Sequence, residues 1–139
     1  MDSISFLKES EKWLADVNGF EVEVSLQREK IRLLETKPAE LRLQSQLHLQ
    51  AGRRRESNIV VDGIRPALEA LGQARRERIT LGSKAGDLMG RQHALLVSYG
   101  EFVSKLAAGD ETLPLISEMR DKLLQKVVCL GDLQQTLVA

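Results

Sequence analysis

The chain has 139 residues, with 20 basic and 20 acidic side chains and therefore a formal net charge of zero; 42% of it is hydrophobic, 29% charged and only 4% aromatic. That length is one domain, or one domain with an arm. The composition excludes a disordered chain, and zero net charge weighs against a general nucleic-acid coat. The lone cysteine, Cys129, cannot form an internal disulfide, which points to an intracellular, cytoplasmic setting. No apolar run approaches the roughly 18 residues that a membrane span needs. The opening residues Met1-Asp2-Ser3-Ile4-Ser5 have neither the basic start nor the apolar run of a secretory signal.

Prolines at 38, 66 and 114 each stand at the head of an apolar-periodic stretch. Proline is tolerated in a first helical turn because the N–H it lacks would be unpaired there, so each reads as a helix start. Before the first proline, Ser10, Val17, Val24 and Ile31 recur every seven residues. Phe6, Trp13, Phe20, Gln27 and Leu34 form the offset column, which makes a coiled-coil seam on a helical arm over about residues 3–36. A competing signal lies inside it. Asn18-Gly19 is a turn dipeptide, and Phe20, Val22, Val24 and Leu26 alternate as a strand would. The next stretch, Pro38 to Ala51, carries Leu43, Leu47 and Ala51 on one helical face. Residues 52–65 are the least regular and read as a connector. Ile59-Val60-Val61 there is the natural partner if residues 20–26 are a strand.

The third segment carries the strongest pattern. Leu81, Leu88, Leu95 and Phe102 are seven apart, with Ala85, Gln92, Tyr99 and Leu106 as a second column. Traced back to Pro66, a helix to about Ala107 would hold about 42 residues and span about 63 Å at 1.5 Å per residue. It either breaks near Gly72 or Gly82 or makes the molecule elongated. Gly82, Gly86 and Gly90 are four apart. On a helix they form one smooth ridge for close approach of a partner helix or for a hinge; the competing reading is a loop over 82–86. Ala108-Gly109-Asp110 reads as a turn, with Asp110 or Thr112 as N-cap of the last helix. That helix repeats Ile116, Leu123, Leu130 and Leu137 every seven residues. The expected fold is all-α: a single, elongated antiparallel bundle or coiled-coil-like hairpin of three to four helices. The alternative is α+β, with a two-stranded hairpin from 20–26 and 58–62.

Chemistry is scarce. His48 and His93 stand outside any metal-ligand spacing, no Cys-x-x-Cys or His-Glu-x-x-His occurs, and Cys129 lies among Val127, Val128 and Leu130 as a small buried residue would. The expectation is a non-enzymatic chain with no cofactor and no metal. Basic residues do cluster: Arg53, Arg54, Arg55, Arg65, Arg75, Arg76 and Arg78 against four acids leave residues 52–78 at +3. Arginine suits bidentate phosphate or carboxylate contacts. The patch has no aromatics to stack bases, so an acidic protein surface fits it better than nucleic acid, which stands third among the functional readings.

What remains is the seams. The first functional reading is a structural or adaptor subunit that assembles with other subunits or with itself. Its contacts would be Phe6, Trp13, Phe20, Leu81, Leu88, Leu95, Phe102, Ile116, Leu123, Leu130 and Leu137. The second is a small helical chaperone shielding a client's amphipathic segment. Phe102-Val103-Ser104-Lys105-Leu106-Ala107-Ala108-Gly109-Asp110, then Leu113, Ile116, Met119-Arg120 and Leu123-Leu124, resembles the flagellar type III export chaperones. In that family a Gly-Asp turn joins two leucine-rich helices, with an arginine before a Leu pair. The likeness covers about 40 residues, and the Asn-rich final motif of some members is absent. The resemblance implies a helical fold and a client protein as partner.

Overall fold

The structure, a computed structural model, describes residues 1–138. Four helices follow one another: α1 (Ser3–Gln50), α2 (Arg54–Asp62), α3 (Ile64–Val103) and α4 (Leu113–Val138). The fold is all-α, with no strand among the described residues. The α+β alternative is overturned, since residues 20–26 lie within α1 and residues 58–62 within α2. Phe20 and Val24 are buried while Val22 and Leu26 are exposed. The apparent alternation is a helix seam interleaved with apolar residues on the opposite face. Asn18-Gly19 is helical as well.

α1 does not end near Thr36, and Pro38 does not start a helix. It sits inside α1. The reason is the phase of the repeat. Val24, Ile31, Pro38 and Ser45 continue the same seven-residue column, and all four are buried. Proline at 38 removes one hydrogen bond, the one its N–H would donate to the Leu34 carbonyl, but its ring occupies a seam position. The other two prolines behave as expected, at the second position of α4 and the third of α3.

The expected connector over residues 52–65 is largely helix α2. The turn before it is a helix C-cap. Gly52 takes φ +76°, the Arg53 N–H donates to the His48 carbonyl at 2.8 Å, and the Gly52 N–H donates to the Leu49 carbonyl at 3.0 Å. This paired bonding is the Schellman motif, which needs the left-handed conformation that glycine adopts without steric cost. α3 runs unbroken for 40 residues, so neither Gly72 nor Gly82 interrupts it and no loop occupies 82–86. The Ala108-Gly109-Asp110 turn is present. Thr112 precedes α4 and its carbonyl accepts from the Ile116 N–H at 3.0 Å. The Asp110 carboxylate accepts from the Thr112 N–H at 2.8 Å and hydroxyl at 2.6 Å.

The chain divides into two compact units. Unit 1 comprises Met1–Val22 together with the chain from Thr80 onward; unit 2 is Glu23–Ile79. In unit 1, α1 and α3 run antiparallel: Phe6 packs on Tyr99 and Phe102 with ring centroids 5.6 and 5.5 Å apart, while further along α1 the Trp13 indole N–H donates to the Leu88 carbonyl, earlier in α3, at 2.7 Å. Asp16 pairs with Arg91 at 2.9 Å. α4 returns against them, with its Lys126 on Glu21 at 3.2 Å and the Gln134 amide donating to the Gly82 carbonyl at 3.3 Å. Unit 2 is an antiparallel hairpin of the remainder of α1 against α2 and the first part of α3. Lys30 meets Glu77 at 3.2 Å, Arg75 meets Glu35 at 3.5 Å, and the Ser45 and Ser57 hydroxyls share a buried hydrogen bond of 2.8 Å.

Candidate functional site

In unit 1 the expected contact residues face one another. Phe6, Trp13, Phe20, Leu88, Leu95, Phe102, Ile116, Leu123, Leu130 and Leu137 are buried in the chain's own core, and Leu81 is half-buried. Phe6, Tyr99 and Phe102 form an aromatic triangle with centroids 5.5–5.9 Å apart. Arg120 lies over the Tyr99 ring at 5.5 Å. These seams are occupied from within, and the exposed apolar residues are a different set. Period fixes which residues share a face; it does not say whose face they meet.

The glycine ridge is used in part. Gly82 is buried beneath Gln134, and a Cβ at Gly86 would meet the same amide at 3.4 Å, whereas Gly90 faces open space. The close approach therefore concerns Gly82 and Gly86 and the α4 side chain above them. Cys129 is exposed rather than buried. It borders a groove of about 350 Å³ lined also by Leu14, Asn18, Gln125 and Lys126, which offers no acid–base pair. His93 lies in unit 1 and His48 in unit 2. Among the described residues no three His, Cys, Asp or Glu side chains gather as a metal would require.

Unit 2 is built differently. Its buried apolar residues are Val24, Ile31, Leu71 and Ala74, with Pro38 beside them. Its seam is interrupted by polar groups. Gln27 donates to the Ala74 carbonyl at 2.7 Å, and Ser45 bonds Ser57. His48 Nδ1 and Arg78 Nε are buried without a partner among the described residues. Meanwhile Leu26, Leu33, Leu43, Leu47, Leu49, Ile59 and Ile79 are each more than half exposed.

The arginines expected as a basic patch all lie in unit 2. Arg53, Arg54 and Arg55 are exposed at the start of α2, where no side-chain cap is made. Positive charge at a helix N-terminus opposes the macrodipole, so these three do not stabilise α2. Arg75 pairs with Glu35, Arg76 with the Gln73 amide, and Arg78 lies half-buried in the seam. Glu77 is held below the usual carboxylate range by hydrogen bonds from Lys30 and Gln27. Asp110 is held low by the Thr112 hydroxyl and N–H.

No protein-family model, curated protein or solved structure matches this chain. Among the described residues, no helix is long and apolar enough to cross a membrane.

Proposed function

We propose that this chain is a non-enzymatic helical interaction protein of the cytoplasm, a structural or adaptor subunit that joins other proteins through faces outside its own seams. One observation carries the reading: unit 2 exposes more large apolar side chains than it buries. Leu26, Leu33, Leu43 and Leu47 stand on the side of α1 opposite the seam, and an exposed apolar surface of that extent marks interaction sites in soluble proteins. A second reading, a small chaperone that covers a client's amphipathic helix, is favoured by the internal closure of unit 1. A chain that has satisfied its own seams and still offers apolar faces is equipped to bind one helix at a time.

The test is isolation of the chain at its native level from its own cells, followed by mass determination. The expected result is a complex heavier than the chain. A triple Leu26→Asp, Leu33→Asp and Leu47→Asp variant, with unchanged helical circular dichroism, should run at the mass of the chain alone. Recovery of the unaltered chain as a free monomer would contradict the proposal.

A further inference from the structure

The heptad letters bring the two units onto one scale. In α1 the seam columns, buried or half-buried throughout, are a (10, 17, 24, 31, 38, 45) and d (6, 13, 20, 27, 34, 41, 48). In α2 and α3 they are a (57, 64, 71, 78, 85, 92, 99) and d (60, 67, 74, 81, 88, 95, 102). In an antiparallel pair the e positions of the two helices share one flank of the seam and the g positions the other. The observed pairs obey this: Glu35 and Arg75 are both e, Lys30 and Glu77 both g.

In unit 1 the e flank is where α4 lies. Glu21, at e, takes Lys126, and Gly82, at e, takes Gln134. The other e residues there, Leu7, Leu14, Met89, Leu96 and Val103, are half-buried. In unit 2 the same letters fall on Arg28, Glu35, Arg42 and Leu49 of α1 and on Arg54, Val61, Leu68 and Arg75 of α2 and α3, and all eight are exposed. No helix covers this flank. Its composition has changed from apolar to arginine alternating with Leu49, Val61 and Leu68. The only acid among the eight, Glu35, is already paired with Arg75. Arg42 and Arg54 enter no ion pair among the described residues.

From this we infer that the e flank of unit 2 is a docking groove for an acidic amphipathic helix of another protein, which takes the place that α4 takes in unit 1. The inference rests on the interaction role proposed above and gives the partner its chemistry. Two observations select that occupant. In unit 1 the flank that carries the same heptad letters accepts a helix lying along it. Arg42 of α1 and Arg54 of α2 are exposed beside Leu49 and Val61 and ask for carboxylates, with which arginine forms bidentate bonds. A second copy presenting the same flank would set arginine against arginine, which is costly.

The test uses the full chain and two synthetic peptides of three heptads, each with leucine at a and d. One carries glutamate at e and g and the other carries lysine there. Fluorescence anisotropy should show the glutamate peptide binding at least tenfold more tightly than the lysine peptide. The difference should shrink as salt rises from about 50 mM to about 500 mM, which shortens the screening length. A double Arg42→Glu, Arg54→Glu variant should lose at least tenfold in affinity for the glutamate peptide. Lys37→Glu, an exposed g position, should change it less than twofold, and both variants should keep their helical circular dichroism. Equal binding of the two peptides, no binding of either, or an unaltered affinity in the double variant would each overturn the groove. So would binding to phosphatidylserine vesicles in place of the glutamate peptide. If the peptides fail while the native complex persists, the groove is refuted and the interaction role stands. A free native monomer that binds the peptide refutes the role and leaves the groove.

Discussion

Gly52 shows how one residue decides where a long helix stops. Nothing in the seam ends α1 at Gln50, because the repeat stays in phase to His48. The stop is made by the two C-cap hydrogen bonds and the left-handed φ of +76° at Gly52. Nothing lies within 4 Å of the place a Cβ would take there, so replacing it tests backbone conformation alone. Gly52→Ala should cost about 1–2 kcal/mol, the penalty of the left-handed region for a residue with a Cβ, read as a lower urea midpoint. Gly52 was legible in the sequence as an end signal. Cys129 was not: its neighbours Val127, Val128 and Leu130 are apolar, but only Leu130 belongs to the buried column. Local composition cannot tell a seam residue from its exposed neighbour; the register can.

At the scale of the element, the prolines give the clearest contrast. Pro66 and Pro114 stand in first turns, where the missing donor costs nothing. Pro38 obeys the same local chemistry, yet the helix passes through it. The seven-residue column from Val24 to Ser45 runs through 38, and the packing of the column as a whole, not of the pyrrolidine ring alone, outweighed local preference. A mid-helix proline is about 3 kcal/mol less favourable than alanine. Alanine at 38 restores the donor and gives up part of the ring's packing, worth roughly 1 kcal/mol. The Pro38→Ala variant should therefore be more stable than the parent by about 2 kcal/mol, seen as a higher melting temperature. A lower one would mean that the ring is essential to the seam. The arginine-rich stretch was legible as a patch, but its faces were not. Sequence gave Arg53, Arg54, Arg55, Arg75, Arg76 and Arg78 one common meaning. The helices distribute them between the α2 start, the e flank, the seam and, for Arg76, the outer face of α3, because the phase of the second arm of the hairpin depends on where α2 begins.

For the whole molecule, the two units differ in what holds them. Unit 1 encloses Trp13, Phe6, Ile116, Leu123, Leu130 and Leu137 almost completely; unit 2 relies on fewer buried apolar residues and on polar contacts such as Glu77 with Lys30 and Gln27. Acid should weaken both. The pKa of Glu77 and that of Asp110 are lowered by folding, so the unfolded chain binds protons more readily and stability falls as pH drops through the carboxylate range, near about 4 and below. The urea midpoint should decline from pH 7 towards pH 3, and Glu77→Gln should flatten that decline. The all-α class and the seam residues could be read directly from the heptads. What those seams meet could not, since one repeat serves an intramolecular bundle and an intermolecular one equally well.

The central claim is that unit 1 is closed on itself and that partners are met by unit 2. Amide hydrogen exchange, followed by mass spectrometry on the free chain and on the complex isolated from its own cells, addresses it most directly. In the free chain, peptides from residues 23–79 should exchange faster than the helical peptides of residues 3–22 and 80–103, because few buried apolar groups protect them. In the complex, slowing should concentrate in 23–79. Slowing confined to α4 or to the first turns of α1, or equal protection of both units in the free chain, would contradict this account.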